Sequence, residues 1–559
     1  MLKLRRKKIL KGILYTLGVI LLLLIIFAIY LVQVSKVPDP KVADKSSLKL
    51  ERTEVDKNFF TLKDSWFHKS RSGLYELYVE GDAFERGVIN GKLTKELVVR
   101  QEDHFTEQIK KMVPNPFTRQ YLKYFIGWFN RNLDKNVTEE YKDEIYGISQ
   151  SASEKYQWLG SNYQRLLNYH AAHDIGHALQ SMALVGCTSF GTWDAMSADS
   201  TMIIGRNFDF YVGDKFAEDK IVAFFNPKLG HKFMTVTWGG FIGAVSGMNE
   251  EGLSVTINAA KSDYPLASAT PVSLVTREIL QYAKSINEAI AIARKRKMFV
   301  SESFLVASAA DKKAVIIEKT PDALDVYDPH KNFIVCANHF QSNGLIHSKK
   351  NIEQMNESAS PYRYQRLMEL LNQQNGKNTV QKTVDILRDR KGLHNEDIGD
   401  GNEKAINQLI AHHSIVFEPE KRLVWVSTSP WQLGEFVAYD LKKIFALRGL
   451  KQDTEVSDSA LRIAPDTFLM TKEYRDFENF RKFKQRLADG DKIDADSLVA
   501  TNPQFYHAYV LAADYLYKQK NYKKALEYYN MALTKVIATK KEEDHIKDQV
   551  KKINKKLAP

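Results

Sequence analysis

The longest apolar run in the chain, Gly12 to Val34 (GILYTLGVILLLLIIFAIYLVQV), contains no charged residue. A helix of that length crosses about 30 Å of hydrocarbon. Lys3, Arg5, Arg6, Lys7, Lys8 and Lys11 stand directly before it. That asymmetry keeps the N-terminus in the cytoplasm and sends everything after Val34 across. A cleaved signal peptide has a shorter apolar core and ends in an A-x-A-like site. Ile29–Pro38 (IYLVQVSKVP) has none. The pattern predicts a cytoplasmic basic tail (1–11), a single-pass anchor (12–34) and a folded part outside the cytoplasm, periplasmic or extracellular. The basic side chains are expected on lipid headgroups.

Beyond the anchor the texture changes by region. Residues 35–70 are polar and mixed, with Pro38 and Pro40, and read as a stalk. Residues 71–186 are mostly of helical period, as in Glu139–Trp158. From 187 to 450 short β-rich runs dominate: Thr201–Phe208, Ile221–Phe225, Lys232–Trp238, Leu253–Ile257, Ala314–Glu318, Asn332–Ala337 and Arg422–Ser427. Helices around Leu274–Arg294 and Tyr364–Asn372 interrupt them. Strands, then helices, then strands predict a layered α+β core. Residues 451–559 return to helix. In His507–Leu533 the small residues Ala512, Ala513, Ala525 and Ala532, with Tyr509, Tyr522 and Tyr529, resemble one tetratricopeptide repeat. It is read either as a site for a protein partner or as a helical hairpin capping the core.

At 559 residues, the chain holds three domains or so. With 44% hydrophobic and 26% charged residues it is neither disordered nor collagen-like. The net charge is +12, but the N-terminal tail supplies half of it and Lys547–Lys556 forms a second basic stretch. The middle is nearly balanced, which argues against a nucleic-acid partner. Two cysteines, Cys187 and Cys336, exclude a disulfide framework and a four-cysteine metal site.

The chemistry concentrates in Gly186–Phe210 (GCTSFGTWDAMSADSTMIIGRNFDF). A β-hairpin there sets the Cys187 thiol near Arg206 and Asp209. A nearby cation lowers a thiol pKa. No Cys-His pair is evident, but cutting Gly186–Cys187 would free an α-amino group of pKa about 7.7–8.0, suited to general base work at neutral pH. One residue then supplies nucleophile and base, and Gly186 leaves its own carbonyl open to attack. The plain reading of a lone cysteine in a strand is a small buried residue.

These motifs resemble the N-terminal nucleophile hydrolases of the choloylglycine hydrolase, acid ceramidase and penicillin acyltransferase group. The resemblance lies in Cys187-Thr188-Ser189, then Gly205-Arg206-Asn207-Phe208-Asp209. It continues through Gly81–Gly91, Gly247–Asn258 (GMNEEGLSVTIN), Phe304–Asp328, Asn338-His339, Ser360–Arg366, Ser414–Phe417 and Leu423–Trp425, covering roughly 71–450. It implies a four-layer αββα sandwich, self-cleavage between Gly186 and Cys187, and no cofactor or metal. It further implies that Cys187 is the nucleophile, that Arg206 holds the thiolate, and that Asp209 orients the amine. Asn258 becomes an oxyanion donor, with Asn249 its rival. Asn338 positions the amine or substrate amide, and Arg363, with Arg366 as its rival, supports the site electrostatically. The reaction implied is attack on a linear N-acyl amide, lipidic amides among the candidates, through an acyl-thioenzyme. The alternatives are acyl transfer to an amine, or an inert membrane-tethered scaffold.

Other constellations have two readings. His170, His173 and His177 share a helical face and, with Asp174, form either a zinc site or a polar packing face. His412-His413 is expected to be structural. Cys336 either lines the site or is buried. Tyr121–Asn130 (YLKYFIGWFN) forms either an acyl-chain pocket or core.

Overall fold

The computed structural model describes residues 2–172, 174–175, 186–210, 213–263, 265, 267–374 and 376–558. It begins with helix α1 (Leu2–Val34), uncovered along its apolar length. Among the described residues it is the one helix long and apolar enough to cross a membrane. Short strands follow: β1 (Thr53–Asp56), β2 (Phe59–Leu62), β3 (Ser65–Lys69) and β4 (Tyr75–Gly81). Then come helices α2 (Ala83–Leu93), α3 (Lys95–Met112), α4 (Pro116–Phe129), α5 (Glu139–Ser149) and α6 (Asn162–His170).

After Cys187 the chain is strand-rich. It forms β5 (Thr188–Asp194), β6 (Ser200–Phe208), β7 (Ile221–Pro227), β8 (Phe233–Thr237), β9 (Ser246–Asn249) and β10 (Leu253–Ala260). These are followed by β11 (Ser301–Ser308), β12 (Lys313–Lys319), β13 (Leu324–Tyr327), β14 (Phe333–Cys336), β15 (His413–Glu418), β16 (Leu423–Ser427), β17 (Phe436–Asp440) and β18 (Ser457–Ile463).

The described strands make two sheets. One has eleven strands in the order β1-β2-β3-β4-β7-β8-β9-β10-β11-β12-β13; the other has seven, β14-β5-β6-β15-β16-β17-β18. Neighbouring strands pair antiparallel except β4 and β7, which run parallel from Tyr75↔Ile221 to Gly81↔Pro227. Because side chains alternate across a strand, each sheet feeds two cores. Trp66, Phe224 and Leu305 of the larger sheet meet Ile204, Phe417 and Val437 of the smaller one between the sheets. On the far side of the larger sheet, Val79, Val255 and Phe304 pack against Val88 of α2, Ile145 of α5, and Val275 and Ile279 of helix Val272–Tyr282. On the far side of the smaller sheet, Phe190, Val416 and Trp425 meet Leu367 of helix Ser360–Gln373 and Leu387 of helix Val380–Leu387. The layers therefore run helix, sheet, sheet, helix. The C-terminal helices, among them Tyr506–Lys518, Tyr522–Ala532 and Lys540–Leu557, bury Ala512, Ala513, Ala525 and Ala532 and join the core through Leu409, Trp431 and Leu433.

Three boundaries differ from expectation. The stretch read as a stalk supplies β1–β3 of the larger sheet, with Phe59, Leu62, Trp66 and Phe67 buried. Its four- and five-residue strands are separated by turns at Asn58 and Lys63, both at positive φ, so polar turn residues dilute the apolar signal. β18 extends the smaller sheet beyond 450 before the helices begin. The helix expected over 274–294 breaks at Ala283–Ser285, where Ser285 caps a second helix, Ile286–Lys295, by accepting from the Glu288 N–H.

Candidate active site

β5 and β6 form the hairpin that organises the site, with Ser189 opposite Arg206 and Thr188 opposite Asn207. Cys187 lies at the entrance to β5 and is 1% exposed. Arg206 points from the smaller sheet into the space between the sheets. Its Nη2 lies 3.6 Å from Cys187 Sγ and donates to the Ile257 carbonyl at 2.5 Å. Its Nη1 donates to the Val245 carbonyl at 2.9 Å and to Ser246 Oγ. One guanidinium thus ties the thiol to two strands of the opposite sheet. Burial still pushes the Cys187 thiol up to about 11, against the pull of Arg206.

The peptide bond ahead of Cys187 is gripped from both sides. The Gly186 N–H donates to the Asp209 carbonyl at 3.0 Å. The Gly186 carbonyl accepts from Gln408 Nε2 at 2.7 Å, and the same nitrogen lies 3.3 Å from Asp209 Oδ2. A Cβ on Gly186 would sit 2.4 Å from that Nε2, so any side chain there pushes the donor away. Asp209 is fully buried and its Oδ1 has no partner. Burial raises its carboxyl to about 7, although Arg363 and Arg206 pull the other way.

Asn258, on β10, accepts from Ser189 Oγ at 2.7 Å and gives one Nδ2 hydrogen to the Cys336 carbonyl at 3.1 Å. Asn338, just past β14, donates to the Ala259 carbonyl at 2.9 Å and accepts from Arg363 Nη2 at 2.6 Å. Arg363 also donates to the Glu403 carbonyl at 2.8 Å. Cys187, Arg206, Asp209, Asn258, Asn338 and Arg363 are all buried, with Arg206 against the Cys187 sulfur and Arg363 against Asn338. The rivals lie elsewhere. Asn249 donates to the Leu280 and Ala283 carbonyls and accepts from the Glu251 and Leu253 N–H groups, a turn-holding role. Arg366 is taken by Asp389 at 2.8 Å and Glu369 at 3.0 Å.

Several neighbours carry no sequence signal. Gln408 is one. Ser246 Oγ, beside Arg206, meets His413 Nε2 at 2.9 Å, and His413 Nδ1 meets His412 Nδ1 at 2.9 Å. The pair expected to be structural therefore stands directly behind the arginine. Glu302 on β11 is fully buried with both carboxyl oxygens unpartnered. Burial, reinforced by Asp174, pushes it well above the ordinary carboxyl range, against Arg206.

His170 has both ring nitrogens engaged, with the Leu166 carbonyl at 2.8 Å and the Ile242 N–H at 3.0 Å. It is a core histidine; His173 and His177 lie outside the described residues. Among the described residues no group of histidine, cysteine or carboxylate side chains forms a metal cluster. Both cysteines are free, and Cys336 is buried between the sheets. Tyr121–Asn130 divides: Tyr121 and Phe125 face outward, whereas Phe129 is buried in the core and Trp128 packs against it.

Residues 196–429 match the family described as acyl-coenzyme A:6-aminopenicillanic acid acyl-transferase; Cys187 lies just ahead of the matched span. An uncharacterized protein of Archaeoglobus fulgidus is 24% identical over 271 residues, 46% of this chain and 45% of the relative. The N-acylethanolamine-hydrolyzing acid amidase of Caenorhabditis elegans is 25% identical over 247 residues, 42% of this chain and 65% of the relative. This chain spans less than two thirds of either relative's length. The solved conjugated bile acid hydrolase of Clostridium perfringens, in a mutant form, aligns at 11% identity and a TM-score of 0.33, covering 49% of this chain and 95% of that one. Over residues 196–429, then, the chain carries the resemblance its motif order implies, to the penicillin acyltransferase-like branch of the N-terminal nucleophile hydrolases.

Proposed function

We propose that this protein is a membrane-anchored amidohydrolase that first cuts its own chain between Gly186 and Cys187. The observation that carries this reading is the grip on the Gly186 carbonyl. A buried amide donor, Gln408, holds the oxygen at 2.7 Å, and a carboxyl raised to about 7 lies against the same donor. A hydrogen bond already aimed at a carbonyl stabilises the charge that develops there on attack.

In the first step Sγ of Cys187 attacks the Gly186 carbonyl carbon. The C–N bond breaks, the thiol proton ends on the departing nitrogen, and a thioester joins Gly186 to the sulfur. Asp209 carries that proton. Water then hydrolyses the thioester to the Gly186 carboxylate and restores the thiol. The new α-amino group becomes the base of Cys187, with Asp209 as its counter-charge and Arg206 beside the sulfur.

In turnover the amine takes the thiol proton, Sγ attacks the amide carbon of an N-acyl substrate, and the second hydrogen of Asn258 Nδ2 faces the oxyanion. Asn338 and Arg363 position the amine and the substrate amide. The amine product leaves with the proton, and water releases the acid. A second reading ends differently: an amine displaces the thioester, as the matched family's name describes.

The test is intact mass of the full chain beside Cys187→Ala. Two fragments meeting between Gly186 and Cys187 in the parent alone support the reading. A single chain in both, on incubation from mildly acidic to neutral pH, overturns it. Adding an amine acceptor during N-acyl amide turnover separates the endings, because transfer gives a new amide in place of free acid.

A further inference from the structure

Helix α4 turns its aromatic side away from the protein. Phe117, Tyr121 and Phe125, at i, i+4 and i+8, are 67%, 56% and 51% exposed. Tyr124 and Trp128 flank them, half-buried. At 3.6 residues per turn these five rings share one face. Arg119, which donates to the Val113 and Pro114 carbonyls, and Lys123, which donates to the Trp158 carbonyl, lie on the opposite side, and α4 holds no acidic residue. From Lys110 to Lys135 the chain carries Lys110, Lys111, Arg119, Lys123, Arg131 and Lys135 against one carboxylate, Asp134. Asn115 caps the helix, accepting from the Phe117 N–H at 2.9 Å, with Pro116 at its first position. The aromatic face is therefore part of an ordered helix.

The position of α4 identifies what covers that face. At Gly127 the helix packs against the end of α1: a Cβ there would lie 2.3 Å from Ser35 Cβ. The Ser35 carbonyl also accepts from Gln164 Nε2, of α6. The point where α1 leaves its apolar span is thus fastened to α4. A helix with rings on one face and cations on the other, held where a spanning helix emerges, meets the requirements of an interfacial helix.

We infer that α4 lies in the headgroup layer of an anionic bilayer, its rings toward the acyl boundary and its cations among lipid phosphates. The inference rests on reading α1 as a membrane span. It gives the catalytic part a second contact with the bilayer, one that fixes its orientation.

The full chain, reconstituted in phosphatidylcholine vesicles containing phosphatidylglycerol, carries a nitroxide at Tyr121→Cys or Phe125→Cys. Leu22→Cys in α1 and Lys541→Cys, on an exposed C-terminal position, serve as references. The unsubstituted chain, whose two cysteines are buried, is the blank. Collision with bilayer-soluble oxygen is compared with collision with a water-soluble nickel chelate. The expected result is loss of nickel access at 121 and 125 relative to 541, with oxygen access retained. Nickel access at 121 and 125 equal to that at 541 overturns the inference. So does loss of access to both reagents with dipolar broadening, which would mean a second copy covers the face. Leu22→Cys reports the span separately, so failure of the anchor and failure of α4 give different readings.

Discussion

At the residue scale, the site is built around a carbonyl rather than a thiol. Cys187 is buried and its pKa is pushed up to about 11, so in the uncut chain it is a poor nucleophile unless the bond it attacks is activated. In the proposed self-cleavage Gln408 supplies that activation. Gln408→Ala is expected to slow self-cleavage about 100-fold, the scale of losing one oxyanion donor, measured by mass against time. Unchanged cleavage would remove Gln408 from the chemistry. Cys187, Arg206 and Asp209 were legible in the sequence because one hairpin carries all three. Gln408 was not: it stands 222 positions from Gly186, and a lone glutamine has no spacing to mark it. Glu302 and the Ser246–His413 pair stayed hidden for the same reason, since they meet the site only when two sheets close on each other.

At the element scale, α2 and α5 pack with unusually close backbones. A Cβ on Gly87 would lie 2.1 Å from the Glu144 carbonyl oxygen, and one on Gly147 would lie 2.5 Å from that of Phe84. Glu144 itself is buried between Arg86 and Arg277, the latter at 2.7 Å. Gly87→Ala is therefore expected to destabilise the chain by about 1–3 kcal/mol or more, as forced overpacking does. Denaturant unfolding measures it, and an unchanged midpoint would show that the helices separate freely. The sequence places α2 within a stretch of helical period, and Asp82 caps it by accepting from the Glu85 N–H at 3.1 Å. It hides β1–β3, whose strands are too short to outweigh their polar turns. The aromatic run of α4 misleads differently: periodicity reports a stripe but not what covers it.

At the scale of the whole molecule, buried titratable groups set a pH preference. In the fold Asp209, Glu318 and Glu403 sit at about 7, raised by burial from 3.8 or 4.5. The fold keeps protons that the unfolded chain has released, so these groups lower stability as pH rises toward 7, and the loss levels off once they ionise in the fold as well. Burial also holds His170, His339 and His507 at about 4, and His412 and His413 well below 6.5. These act oppositely, but only below about 6.5, where the unfolded histidines protonate. Above about 8 Lys220, lowered to about 8, also opposes the fall. The thermal midpoint of the uncut Cys187→Ala chain is expected to drop between pH 6.5 and 8, most steeply at the acid end, where each uncompensated carboxyl approaches the limit of about 1.4 kcal/mol of stability per pH unit. Glu403→Gln should flatten that slope; a rising midpoint would contradict the assignment. The parallel pairing of β4 with β7 has a further consequence. Those strands lie on opposite sides of the Gly186–Cys187 bond, so one continuous sheet would be shared by two polypeptides once that bond is broken. The instructions for building the domain would then be divided between separate molecules. A cut protein, once denatured, would have to find its other half by diffusion, and its recovery would depend on concentration where that of the precursor does not.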